Sequence, residues 1–388
     1  MQKGPVDMTL SANWSYPTAI RFGAGRIEEL AEACRAAGMK RPLLVTDRGL
    51  ADQAITQNAL DLMEAAGLGR TVFAEVDANP VDDNLAAGIK AFKAGGHDGV
   101  VAFGGGSGLD LGKLVAFMAG QTRPVWDFED IGDWWTRADA EAIFPIVAVP
   151  TTAGTGSEVG RAGVLTNSQS RVKKIIFHPK MLPVAAICDA QLTVGMPRPI
   201  TVGSGMDAFI HCLEAYCSPA YHPLSQGIAL EGMRLVKENL PRVAAAPDDL
   251  EARAHMMSAA AMGATAFQKG LGGMHALAHP VGAIFDTHHG MTNAVVMPAV
   301  LRFNRSAIEE RLGQAGAYLG LKGGFDGFLD FVLKLRAELG VPDKLGALGV
   351  GQDRIEEMAV MAAEDPCAGS NPVALTVDVA RRLYGECM

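Results

Sequence analysis

The chain has 388 residues, 49% of them hydrophobic and 20% charged, with a net charge of −9. That length exceeds one ordinary core and calls for two domains, and the acidic balance argues against nucleic acid or an anionic membrane surface as a partner. No apolar run reaches the roughly 18 residues of a membrane span.

The opening Met1-Gln2-Lys3-Gly4-Pro5 carries no hydrophobic signal core. Residues 1 to about 190 alternate short β-branched runs with helical patterns, which predicts a parallel α/β sheet. Strands are expected at 41–47, 71–76, 99–103, 145–149 and 185–188, with helices at 49–66 and 109–119. The texture changes at Gly195-Met196-Pro197-Arg198-Pro199, and helix-period patterns dominate from 201 to 384. The expected division is therefore an α/β nucleotide-binding domain at 1–195 and an all-helical domain at 196–388. The six cysteines form no CxxC pair and read as structural thiols of a reducing cytoplasm.

Gly104-Gly105-Gly106-Ser107-Gly108 follows the third strand and opens a helix. Glycines let backbone amides approach a phosphate, and the helix N-terminus adds its positive end. No GxGxxG frame fits, and Ser107 stands where a Walker A loop needs its first glycine. A tight strand–helix turn is the bland alternative, but GGGS is more than a turn needs. Pro150-Thr151-Thr152-Ala153-Gly154-Thr155-Gly156-Ser157-Glu158 offers four hydroxyls after a buried strand, suited to ribose, pyrophosphate or carboxamide. Asp47 ends a strand, where a carboxylate can accept both ribose hydroxyls of adenosine and would repel a 2′-phosphate. It could equally cap the next helix.

Five of the nine histidines gather in the second half, at His211, His275, His279, His288 and His289. Asp207 and His211 are four apart, so a helix puts them on one face; His275 and His279 repeat that spacing. A carboxylate with several imidazoles suits Fe²⁺, Zn²⁺, Ni²⁺ or Co²⁺. The second stretch lacks the Glu of HExxH, which disfavours a zinc hydrolase. Spacing alone does not choose among the six candidate ligands. A nucleotide cradle and a metal site in one chain point to redox chemistry.

The motifs GGGSGLDLGK at 104–113, PTTAGTGSEV at 150–159, GMDAFIHCLEAY at 205–216 and HALAHPVGAIFDTHHG at 275–290 resemble those of the iron-containing (group III) alcohol dehydrogenases. The resemblance covers essentially the whole chain. It implies the dehydroquinate synthase-like fold, with an α/β nucleotide-binding domain, an all-helical C-terminal domain and the active site between them. It implies metal ligands at Asp207, His211, His275 and His289, and a catalytic His279 near the cofactor. It places cofactor contacts at Asp47, Asn79, Gly105, Gly106, Ser107, Asp110, Thr151, Thr152, Thr155, Lys173, Leu192, Gly195 and Met196. Two positions depart from the pattern: Gly160 stands where Thr is common, and His288 where Pro or another residue is common.

The expected enzyme is a cytoplasmic NAD(H)-linked dehydrogenase holding Fe²⁺, with Zn²⁺ as the other candidate occupant. Its expected substrates are small primary alcohols, diols or ω-hydroxy acids such as 4-hydroxybutyrate, and the matching aldehydes. A pocket near Phe267, Met274, His288 and residues 155–162 is expected, with Gly160 and Ala162 leaving space for a chain longer than ethanol's. A homodimer or larger homo-oligomer is expected. The rival readings are a glycerol dehydrogenase-like enzyme, a maleylacetate reductase-like enzyme, and a nucleotide- or metal-binding protein without turnover.

Overall fold

A computed structural model of the chain describes residues 12–14 and 18–388. The Met1–Pro5 segment read above lies outside the described residues. The first half runs β1 (Ala12–Trp14), β2 (Ala19–Phe22), α1 (Leu30–Ala36), β3 (Leu43–Asp47), α2 (Ala54–Ala65), β4 (Val72–Val76), α3 (Asp82–Ala94), β5 (Val100–Gly104) and α4 (Gly106–Met118). It continues with β6 (Ile146–Pro150), β7 (Ala162–Asn167), β8 (Val172–Phe177) and β9 (Ala185–Cys188). Seven strands form one sheet in the order β1-β2-β9-β6-β5-β3-β4. All its pairings are parallel except β1 with β2.

The central strands are buried on both faces, as a parallel sheet covered by helices requires. Leu43, Val45 and Ala102 face α3 and α4; Leu44, Val101 and Phe103 face α1 and α2. The chain leaves β3 toward the β4 edge and returns with β5 on the other side of β3. That reversal opens a crevice at the strands' carboxyl ends, the usual ligand position in such sheets. Asp47 ends β3 there, and the glycine-rich segment follows β5. Gly104 pairs level with Pro150, so the segment after β6 lies beside it.

The second half is helical: α5 (Arg198–Cys217), α6 (Pro223–Ala245), α7 (Leu250–Ala266), α8 (Gly273–Phe285), α9 (His289–Tyr318), α10 (Gly324–Leu339), α11 (Ile355–Glu364) and α12 (Val377–Cys387). Buried from Thr201 to Cys217, α5 packs against α6, α7 and α9. The bundle core extends to Ile20, Ala186 and Cys188 of the sheet. All six cysteines are free and buried.

Two local expectations differ from the structure, and some strands were not expected. Helix α2 begins at Ala54 rather than 49, because the Asp47 carboxylate accepts the Leu50 N–H at 3.0 Å and holds residues 48–53 in turns. Helix α4 begins at Gly106, three residues before the expected Leu109. Strand β2 and the β7–β8 hairpin carry no strong sequence signal. The hairpin stands apart from the main sheet and packs on α4, with Gly163 against Leu114.

Candidate metal centre and nucleotide cleft

A cleft of about 590 Å³ separates the sheet from the helical half. Asp47, Asn79, Gly105, Gly106, Ser107, Thr152 and Thr155 line one side, and Ser204, Asp207, His288 and His289 the other. Gly104 has φ +139°, a conformation glycine adopts readily. It turns the chain so that the first amides of α4 face the cleft. Those amides have no carbonyl partner within the helix and are ready for an anion. Ser107 Oγ donates to Ala78 O at 2.5 Å and ties the loop to the end of β4.

The metal-type residues converge across three helices. Asp207 and His211 lie on α5, His275 on α8, and His289 begins α9. The Nε2 atoms of His211, His275 and His289 lie 3.9, 3.7 and 3.6 Å from the Asp207 carboxylate. These separations are too long for hydrogen bonds. Ligand atoms about 2.1 Å from one ion at tetrahedral angles sit roughly 3.4 Å apart. Asp207, His275 and His289 form the tightest set; His211 adjoins it, its ring stacked 4.8 Å from that of His275.

The electrostatics suit a cation. Burial holds the His275 and His289 imidazoles well below the usual range, so both stay neutral and keep a lone pair. His275 Nε2 is buried with no hydrogen-bond partner, an arrangement that is costly without a ligand. Its Nδ1 lies 2.6 Å from Glu214 Oε2, so Nδ1–H donates to the carboxylate and Nε2 is left bare. Glu214 Oε1 also accepts the Met274 N–H at 2.6 Å. Burial pushes the Glu214 carboxyl up to about 7, against the pull of the Met274 and Gly272 amides. Asn293 Nδ2 donates to Asp207 Oδ1 at 3.0 Å and fixes the carboxylate.

Close helix packing sets these distances. A Cβ on Gly290 would stand 2.1 Å from Gly203 O and 2.8 Å from Asp207 Cβ. Gly290→Ala must therefore push α9 off α5 and carry His289 away from Asp207. The expected result is a folded protein with at least tenfold weaker metal binding, checked by chelator competition. Unchanged affinity would show that α9 has slack.

The remaining expected residues divide. Lys173 on β8 is half-buried, and loss of solvent pushes its ammonium down to about 8, the nearby Asp286 and Asp207 opposing that shift. Its Nζ donates to Asn79 Oδ1 at 2.6 Å, and Asn79 in turn bonds Asp286 at the end of α8. This chain of three spans the two halves beside the cleft. Asp110 lies below the loop, where its oxygens accept Ser157 Oγ and the Val164 N–H. Thr151 and Leu192 are buried, and neither they nor Gly195 and Met196 line the cleft. His279 lies outside the cleft lining, its ring stacked 5.3 Å from that of His289. Its Nδ1 lies 2.8 Å from Asp365 Oδ2. His288 caps α9, accepting the Met291 N–H at 3.3 Å, and faces the cleft over Gly203. Phe267 packs edge-on against His211 at 5.2 Å, while Met274 is buried.

Glu214, Asn293 and Asp365 escaped the sequence reading. Glu214 had a signal: 207, 211 and 214 share one helical face. Asn293 had one too, four residues after His289.

A nucleotide cleft at a sheet switch point, joined to a carboxylate–imidazole cluster, defines a metal-dependent dehydrogenase. Residues 17–190 match the iron-containing alcohol dehydrogenase family, and residues 201–388 match the C-terminal domain of Fe-containing alcohol dehydrogenases. The chain belongs to this family and is an alcohol dehydrogenase. It is 37% identical to a 4-hydroxybutyrate dehydrogenase of Cupriavidus necator, over 96% of this chain and 99% of that protein. The crystal structure of a 1,3-propanediol oxidoreductase superposes with a TM-score of 0.91 at 32% identity, covering 98% of this chain and 100% of that one. A sulfoacetaldehyde reductase from Bifidobacterium kashiwanohense, solved with NAD⁺, gives 0.86 at 29% identity, covering 96% and 98%.

Proposed function

We propose that the protein interconverts small primary alcohols, diols or ω-hydroxy acids with their aldehydes, using NAD(H) and Fe²⁺, or Zn²⁺ in its place. The carrying observation is that Asp207 and His289 line the same cleft as the Gly105–Ser107 cradle. Asp207, His211, His275 and His289 would hold the metal, which when bound supplies Lewis acidity toward the substrate oxygen. The nicotinamide supplies the hydride acceptor or donor.

The chain's own groups do the rest. The α4 amides take the pyrophosphate, and Lys173 and Asn79 orient the nicotinamide ribose. His279 Nε2 takes the hydroxyl proton in oxidation and returns it in reduction. Substrates of four carbons with a terminal carboxylate, of which 4-hydroxybutyrate is the type, head the list to test. The C. necator relative supports that choice. The test is NADH absorbance with C2 to C6 aldehydes and ω-hydroxy acids on Fe²⁺- or Zn²⁺-restored protein. No turnover with any of them would sink the reading, and a maximum at ethanal alone would remove the longer-chain preference.

Asp47 supports NAD(H) over NADP(H). Its Oδ1 is tied to Leu50 N, and Oδ2 lies on the side of Gly104 at the cleft. Arg48 pairs with Asp77 at 3.3 Å instead of waiting for a 2′-phosphate. Asp47→Gly is expected to lower the NAD/NADP ratio of kcat/KM by about tenfold or more, a change of roughly 1.4 kcal/mol. A natural preference for NADP(H) would contradict the assignment.

A cytoplasmic homo-oligomer completes the proposal. The six free, buried thiols suit a reducing compartment. Among the described residues no helix is long and apolar enough to cross a membrane. Light scattering on the purified protein tests the oligomer, and a monomer would overturn it.

A further inference from the structure

The Asp365–His279 pair joins two distant parts of the chain, 86 residues apart in sequence. Asp365 follows α11 and starts a short turn through Ser370. That turn and the residue after it clasp α8. Asn371 Oδ1 accepts the Gly273 N–H at 2.9 Å at the start of α8, and Asp365 reaches His279 farther along the helix. Tyr384 of α12 adds a third tie, its hydroxyl donating to Leu277 O at 2.7 Å. The segment 365–371 is therefore fixed against the helix that carries His275 and His279.

Both oxygens of Asp365 are in use. Oδ1 accepts the Cys367 N–H at 2.8 Å, and Oδ2 faces His279 Nδ1 at 2.8 Å. The side chains of His279 and Asp365 are only 18% and 9% exposed. Burial works to raise the Asp365 carboxyl, but the His279 ring and the Cys367 bonds outweigh it and hold it below the usual range. A carboxylate only accepts, so the proton between the two sits on His279 Nδ1. In a neutral ring Nε2 then carries a lone pair. Nε2 lies on the side of the ring away from Asp365.

We infer that Asp365 is a positioning residue: it locks His279 in the Nδ1–H tautomer, with Nε2 turned outward as a proton acceptor. The inference rests on the reading that His279 handles the substrate proton. The same logic of a buried carboxylate setting an imidazole's tautomer applies wherever a histidine serves as base.

Asp365→Asn tests it directly. The carboxamide has one accepting oxygen and one donating nitrogen. The Cys367 N–H keeps the oxygen, so the turn survives. The NH₂ then faces His279 Nδ1, which must become the acceptor, and the proton moves to Nε2. With Zn²⁺ bound and Asp207, His211, His275 and His289 untouched, kcat for alcohol oxidation is expected to fall about 100-fold, the low end of general-base effects. Metal content, KM for NAD⁺ and melting temperature are expected to hold. The double variant Asp365→Asn/His279→Ala is expected to be no slower than His279→Ala alone.

Nitrogen NMR of the Zn²⁺-loaded natural protein gives a second readout that needs no variant. His279 should appear protonated on Nδ1, and on Nε2 in Asp365→Asn. The outcomes separate the two claims. If His279→Ala turns over normally, the role of His279 falls, and this inference with it. If His279→Ala is slow but Asp365→Asn is not, only the positioning role falls. An Nε2–H tautomer in the natural protein would also overturn it. His279, Asp365 and Cys367 place ligand atoms within 4.8 Å of one another. A second equivalent of Zn²⁺ that disappears in Cys367→Ser would replace the proton role with a second metal centre. One ion per chain is the expected count.

Discussion

Asp207→Ala is expected to yield folded protein that binds Fe²⁺ or Zn²⁺ more than about 100-fold more weakly, with kcat/KM falling in step. Loss of an outer partner alone costs 10- to 100-fold in metal affinity, and Asp207 sits at the centre of the cluster. Its two oxygens lie 3.6 to 3.9 Å from three imidazole nitrogens. It is the one carboxylate in the proposed ligand set, so its removal takes away the anionic charge that would offset the cation. The three histidines that remain are neutral donors and would have to bind a dication at full charge. The fold should persist, because among the described residues the Asp207 side chain accepts one hydrogen bond, from Asn293, and the rest of α5 keeps its apolar packing. Metal analysis after dialysis, with circular dichroism as the control, checks this. A variant with full metal content and normal turnover would remove Asp207 from the centre.

The helical spacing made the Asp207–His211 face readable, since one turn of helix needs no knowledge of tertiary structure. The glycine-rich loop was readable for the same reason: Gly104 and the α4 N-terminus make a local device. What crossed between helices was not. Glu214 and His275 are 61 residues apart, and their pairing depends on α8 starting against α5. Asp365 and His279 are farther apart still. Asp110, expected at the cofactor, has its carboxylate engaged by Ser157 and Val164 beneath the loop, contacts that no local pattern encodes. The β7–β8 hairpin was missed because β7 buries only Gly163 and Leu165, β8 buries only Ile176, and both strands sit outside the main sheet. It brings Lys173 to Asn79, a contact no local pattern encodes.

Glu214→Gln is the second large effect, and it acts without touching the ligand set. Glu214 Oε2 faces His275 Nδ1 at 2.6 Å, and Oε1 accepts the Met274 N–H at 2.6 Å. The backbone N–H will keep the amide oxygen of a Gln, leaving its NH₂ toward His275. The ring must then accept at Nδ1 and carry its proton on Nε2, the atom aimed at Asp207. A protonated nitrogen is no ligand, so binding must first reverse the tautomer and leave a donor facing a donor. Metal affinity is expected to fall about 10- to 100-fold, read by chelator competition. The metal-free fold should lose little, because Gln fills the same space and no longer buries an ionisable group. Glu214→Gln and Asp365→Asn are the same chemical change on two carboxylate–imidazole pairs, one on each histidine of α8. The first should weaken metal binding, and the second should leave it unchanged while slowing turnover. Two variants with one shared phenotype would mean that α8 responds as a unit and that the carboxylates do not have separate tasks.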